Sequence, residues 1–177
     1  MYHILAQAIG FVALVLNVTS YQLKNNRQLV MCRAAGDFVY VLHYLMLGAY
    51  SGCVTMIFCA ANGLLCSFRG SAWADWKGWK WVVSVLLVAS SVLTWNGFLQ
   101  LVPNLCALIS VLTTVWVTWS GKGNTIRKGR LFIAGPTWLL YSAIAGSIAG
   151  VLAEVIGMTS AATALWRYRK SKDGPPY

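Results

Sequence analysis

The sequence predicts an all-α membrane protein, seven transmembrane helices arranged as two parallel triple-helix repeats joined by a linker helix. Three observations carry this. Hydrophobic residues make up 58% of the 177 and charged residues only 10%, against about 25% charged in soluble domains. The apolar residues gather into seven runs, near the length of about 20 residues that a spanning helix needs. The Lys and Arg residues fall in every second connection between those runs. This balance excludes an ordinary soluble enzyme, a disordered tail and a small secreted scaffold.

In chain order the runs cover residues 4–23, 33–47, 52–68, 79–95, 98–119, 131–145 and 147–166. The second and sixth are short, which implies little tilt or an extension into the following turn. Lys24, Arg27 and Arg33 follow the first run, and Arg69, Lys77 and Lys80 the third. Lys122, Arg127, Lys128 and Arg130 follow the fifth, and Arg167, Arg169, Lys170 and Lys172 the seventh. The remaining connections, at 48–52, 96–97 and 146–150, carry no basic residue. The positive-inside rule then puts the N-terminus outside and the C-terminus in the cytoplasm. The net charge of +10 is accounted for by topology and lipid headgroups, and no nucleic-acid partner is expected. Trp73, Trp76, Trp79 and Trp81 beside Lys77 and Lys80 read as an interfacial aromatic belt.

Cys32, Cys53, Cys59, Cys66 and Cys106 form no CxxC pair, and four of them lie in or beside apolar runs. They act as small hydrophobes, and no disulfide is expected. The chain starts without a basic n-region or an A-x-A site, so no cleaved signal peptide is expected.

An internal repeat emerges at a shift of 98 residues. It pairs Leu14 with Leu112, Lys24 with Lys122, Asn26 with Asn124 and Leu42 with Leu140. It also pairs Gly48 with Gly146, Gly52 with Gly150 and Arg69 with Arg167, while Tyr40 falls on Trp138 and His43 on Tyr141. The Gly-x-x-x-Gly recurs at the same short outer turn, where positive φ and close helix approach are needed. Runs one to three thus repeat as five to seven. Three crossings invert a chain and one linker helix restores its direction, so the two units lie parallel about an axis along the membrane normal. The divisions are 1–70, first triple-helix unit; 71–97, linker helix; 98–170, second unit; and 171–177, cytoplasmic tail.

Four stretches carry a family resemblance. Ser20-Tyr21-Gln22 closes the first run, and His43-Tyr44-Leu45-Met46-Leu47-Gly48-Ala49-Tyr50 closes the second. Leu101-Val102-Pro103 opens the fifth, and Ala145-Gly146-Ser147-Ile148-Ala149-Gly150 with Glu154 opens the seventh. Together these resemble the YgjV-type bacterial inner-membrane family along nearly the whole chain. That family is similar in plan to the SWEET and PQ-loop transporters. The resemblance implies a bacterial inner-membrane location and no particular substrate. Tyr21-Gln22 and Trp119-Ser120 stand where PQ-loop proteins carry Pro-Gln. SWEET-type gating is associated with prolines in four helices; here Pro103 and Pro136, both in the second unit, match and are hinge candidates on that basis.

Ionisable groups inside apolar runs cost about 2.5–3.5 kcal/mol on insertion scales and are functional candidates. His43 falls near the midplane of the second run, as a solute or proton contact or as a bond to a neighbouring helix. Glu154 shares a stripe with Gly157 and Ala161, where helices approach closely; it is a candidate for proton coupling or for an interhelical bond. Asp37, four residues after Arg33, is a second proton-coupling candidate, with an ion pair at the cytoplasmic edge as the plainer account. Asn62 and its repeat partner Ser160 occupy the place where SWEET-like transporters face their substrate. Asn17, Tyr40, Trp138 and Tyr141 complete the solute-binding candidates, aromatic faces being suited to flat ligands and also to helix interfaces.

Neither metal-ligand spacing, a phosphate loop nor a catalytic pair is visible, so neither a cofactor nor enzymatic activity is expected. The expected partners are the lipid bilayer and a small polar solute, with a homo-oligomer left open. Two functions fit: a SWEET-like small-solute transporter or facilitator, and a non-transporting scaffold, assembly or regulatory protein that retains the fold. A polar cavity reaching His43 and Asn62 would favour the first, and a closed apolar core the second.

Overall fold

The computed structural model describes residues 2–93 and 101–168, and the side chains from residue 4 onward within them. The expected outer turn at 96–97 and the tail at 171–177 lie outside the described residues. The described chain is all-helical: α1 (Tyr2–Ser20), α2 (Asn26–Met46), α3 (Tyr50–Ser67), α4 (Trp79–Leu93), α5 (Leu101–Trp119), α6 (Gly123–Gly129), a π-helical turn (Arg130–Ala134), α7 (Gly135–Ile144) and α8 (Ile148–Arg167). The segment from α6 through the π turn to α7 is continuous, so the described residues form seven helical rods. Four helices, α2, α3, α5 and α8, are long and apolar enough to cross a membrane.

Local chemistry sets the boundaries. The Asn25 side chain accepts from the backbone N–H of Arg27 and Gln28, which starts α2 seven residues before the expected start at 33. The polar start Asn26-Arg27-Gln28 and Arg33 break the apolar pattern here, yet Leu29 and Val30 are buried and hold the stretch in the bundle. Ser147 caps α8 by accepting from Gly150 N–H at 2.9 Å. The turns before α3 and α8 are built alike. Gly48 (φ 70°) and Gly146 (φ 67°) take the left-handed conformation that the repeated glycine pattern requires, while Ala49 N–H bonds Tyr44 C=O and Ser147 N–H bonds Ser142 C=O. Gly63 brings α3 against α2, since a Cβ there would stand 2.8 Å from Ala34 Cβ.

The π turn has a readable cause. Pro136 sits in the first turn of α7 and has no N–H to donate. Just before it, Gly135 N–H reaches back five residues to the Arg130 carbonyl, the spacing of a π turn. Pro103 is buried near the start of the described part of α5.

α1 packs on α2 and α8, α3 on α2, α4 and α5, and α7 on α5 and α8. Helix ends of one kind gather together. Asn26 Nδ2 donates to Gly121 C=O at 2.8 Å and Arg69 to Trp119 C=O at 3.0 Å. Arg127 donates to the Tyr21 and Leu23 carbonyls at 3.3 and 3.0 Å, satisfying acceptors at the end of α1. Lys80 lies 4.8 Å from the Trp116 ring centre. This is the basic end of the molecule. At the opposite end Gln7 Oε1 accepts from Ala149 N–H at 3.2 Å, and Ser51 and Tyr141 share a hydroxyl contact of 3.2 Å. Leu5, Phe11, Phe38, Leu86, Ile109 and Phe132 are among the large apolar side chains on the outer surface, as a lipid-facing exterior requires.

Candidate functional site

Arg33 and Arg130, read from the sequence as connections, lie inside the helical bundle. Arg33 is on the eighth position of α2 and Arg130 opens the π turn; both are buried. Each has a carboxylate. Arg130 Nη2 donates to Glu154 Oε1 of α8 at 2.6 Å, and Arg33 Nε faces Asp37 Oδ2 at the longer distance of 3.9 Å. Arg33 also donates through Nη2 to Thr114 Oγ1 of α5 at 3.3 Å. Both guanidinium carbons lie 5.8 Å from the centre of the Tyr21 ring. With α2 starting at Asn26, Asp37 stands at mid-helix, about 16 Å from the helix start at 1.5 Å per residue. The pair therefore belongs to the interior, where the expectation had placed it at the cytoplasmic edge.

This quartet borders a cavity with about 20 Å³ for the centres of water-sized groups, room for little more than a water molecule. Asn17, Arg33, Asp37, Tyr40, Arg130 and Glu154 supply its polar wall, with Ser110, Thr114, Cys59, Met56, Val111 and Trp138 around them. The lining comes from α1, α2, α3, α5, the π turn, α7 and α8, and none of it from α4. A second cavity of about 10 Å³ shares Arg33, Asp37, Cys59 and Thr114 and continues to Asn62, Thr118 and Ile126. The polar track thus runs from Glu154 towards the basic end.

On the other side the track meets aromatic rings. Tyr44 is stacked on Tyr40 at 5.9 Å and meets Trp138 and Tyr141 edge-on at 5.9 Å each. Trp138 and Tyr141 stack at 4.7 Å. His43 joins this cluster against Tyr44 at 5.0 Å. Its Nδ1 is 2.8 Å from Ala6 C=O and its Nε2 2.8 Å from Ser147 Oγ, tying α1, α2 and the start of α8 together. The ring fits because residue 10 is Gly: a Cβ there would meet His43 Nδ1 at 2.7 Å.

The expected solute-binding residues thus divide. Tyr40, His43, Trp138 and Tyr141 come together as the aromatic layer, and Asn17, Asp37 and Glu154 line the charged cavity with Tyr40 and Trp138. Asn62 accepts from Trp119 Nε1 at 2.8 Å and lines the second cavity. Ser160 lies on the α1–α8 contact, accepting from Gln22 at 2.7 Å and donating to Val18 C=O at 3.2 Å. Arg33 was read only as the ion-pair partner of Asp37, and Arg130, Tyr44 and Thr114 were not singled out as site residues. The lone Glu in an apolar span signalled that some cation faces it, without naming which.

A helical membrane protein with a charged group of side chains at mid-bundle is the class these features define. The family model Imp-YgjV, described as bacterial inner membrane protein, matches residues 4–172. The chain belongs to that family and is a bacterial inner-membrane protein. It is similar to the inner membrane protein YgjV of Escherichia coli (strain K12), 24% identical over 153 residues that cover 85% of this chain and 76% of that one. No solved structure matches the chain.

Proposed function

We propose that the protein is a small-solute transporter or facilitator of the inner membrane, with its solute site in the charged cavity between two parallel triple-helix units. The observation that carries this is the lining of that cavity. Six of the seven rods contribute to it and α4 does not, as a path between two units joined by a linker helix requires. The packing supports the same division: α1 on α8 and α3 on α5 are the exchange of partners that a two-fold axis along the membrane normal generates. In this reading all seven rods cross the membrane and the basic end faces the cytoplasm. The polar track from Glu154 to Asn62 is the cytoplasmic half of the path. The aromatic layer around Tyr44 closes the outer half. Rocking of one unit against the other opens it, with the π turn before Pro136 as the hinge in the second unit. No reacting group is invoked, and the chain is read as a non-enzyme.

One observation favours the alternative of a scaffold or assembly protein. A cavity of about 20 Å³ is too small for an organic solute unless the units part. Uptake of a radiolabelled solute panel into vesicles containing the purified protein separates the two. Uptake by the wild type that is lost in Arg33→Gln supports transport. Vesicles that take up none of the panel above empty vesicles overturn it.

A further inference from the structure

We propose that the cavity between Arg33 and Arg130, widened as the two units part, binds a small carboxylate anion together with one proton, the proton sitting on Glu154 Oε2. This deepens the transport reading by naming the solute class. It rests first on buried atoms that no neighbour satisfies. Arg33 Nε, Arg130 Nε, the Tyr40 hydroxyl and Glu154 Oε2 have no hydrogen-bond partner. Their residues are only 7%, 7%, 6% and 3% exposed, and all four line the cavity. Unsatisfied buried polar groups are costly, and still more so when charged. Three of these atoms carry a hydrogen to donate, and the fourth donates once Glu154 is protonated. Four donors around one small space match the roughly four lone-pair sites of a carboxylate's two oxygens. A cation finds two guanidiniums there instead.

Charge sets the proton count. Two guanidiniums and two carboxylates already balance, and an Arg stays charged. An anion added alone would leave a net negative charge out of reach of bulk water, which is strongly unfavourable. A proton arriving with it restores the balance. Glu154 is its natural seat, because Oε1 keeps the Arg130 bond at 2.6 Å while Oε2 turns from acceptor to donor. The charged and titratable groups facing Glu154 are Arg130 from the π turn, Arg33, Asp37, Tyr40 and Tyr44 from α2, and, beyond Arg130, Tyr21 just after α1. α3 brings Cys59 to the cavity, α5 only Ser110, Val111 and Thr114, and α7 Trp138. Asp37 keeps its charge beside Arg33 in this scheme.

The test is calorimetric titration of the detergent-purified protein with sodium acetate, between about pH 6 and about pH 8, in two buffers of different ionisation heat. Sodium chloride and methylammonium chloride serve as comparisons. Acetate is expected to bind with uptake of one proton, its Kd rising about tenfold per pH unit where Glu154 is ionised in the free protein. Arg33→Gln should weaken it by about tenfold or more, the loss of one charge-assisted contact. Glu154→Gln should still bind, since the amide donates where the protonated acid did, but with no proton uptake and no pH slope. Tyr40→Phe removes one hydroxyl and should weaken acetate severalfold; it keeps the test open if Arg33→Gln does not fold. Three results overturn the proposal: no acetate binding by folded wild type, chloride binding as well as acetate, or proton uptake that persists in Glu154→Gln. Unchanged acetate affinity in Tyr40→Phe also counts against it. Acetate binding with no vesicle uptake of any carboxylate supports the site and overturns the transport reading alone.

Discussion

Tyr44 and Ser142 stand 98 residues apart in the chain, and their hydroxyls meet at 3.1 Å in the buried centre of the fold. That separation equals the shift of the proposed internal repeat, in which each residue is the other's counterpart. Counterparts touch only where they lie near the axis relating their units. The flanking contacts agree: His43 of α2 reaches the start of α8 at Ser147, and its counterpart Tyr141 of α7 reaches the start of α3 at Ser51.

The Tyr44–Ser142 contact predicts the behaviour of an exchange. Tyr44→Ser empties a large volume in the aromatic layer and should cost about 3–5 kcal/mol, the scale of aromatic-to-small changes. Ser142→Tyr overfills its site and should cost about 1–3 kcal/mol. The double variant puts the ring back near the axis from the other side. Its loss should fall short of the sum of the single losses by at least about 1 kcal/mol, measured by thermal or denaturant unfolding in detergent. Plain additivity would count against a two-fold relation between the units.

Orientation yields a second prediction. In a Cys-free background, a membrane-impermeant thiol reagent applied outside should label Tyr50→Cys, at the first position of α3, and spare Lys122→Cys. Both positions are exposed, and they lie at opposite ends of the bundle. Labelling of Lys122→Cys from outside intact cells would reverse the assignment of the basic end to the cytoplasm.

The Arg130–Glu154 pair yields a third. Removing one partner leaves an uncompensated buried charge, at a cost of about 3–5 kcal/mol. Arg130→Met should therefore lower stability by that amount. The double change Arg130→Met with Glu154→Met removes both charges and should recover most of it, apolar replacements of buried pairs being often neutral or better. A double variant as unstable as the single one would mean that the π turn needs the guanidinium itself.

The helical rods were legible because apolar runs of spanning length leave few alternatives, and the left-handed Gly48 and Gly146 because the repeated short turn favours glycine there. The start of α2 was not. The stretch 26–32 opens with three polar residues, Asn26, Arg27 and Gln28, and Arg33 cuts it off from the apolar run that follows, while the capping Asn25 signals a start only to a reader who already expects a helix. Arg33 and Arg130 were absorbed into the connections for the same reason, since hydropathy treats every Arg at a run's edge as outside. Glu154 was legible as a buried acid, but its partner was not, because the pairing of α8 with the π turn is set by tertiary packing. Pro136 and Gly135 marked the place of the π turn without revealing its geometry.

His43 carries the last prediction, because its geometry separates structure from solute contact. Both ring nitrogens are engaged, by Ala6 C=O and by Ser147 Oγ, and the ring does not line the charged cavity. His43→Ala should therefore destabilise without disabling the site. The two lost interhelical bonds amount to about 1–2 kcal/mol on the scale measured in membranes, and the volume lost adds to that. His43→Gln keeps one donor and one acceptor and should recover part of the stability. Acetate affinity at fixed pH should change by less than about threefold in either variant, well under one charge-assisted contact. A folded His43→Ala protein that loses acetate binding would move the solute contact from the charged cavity to the aromatic layer.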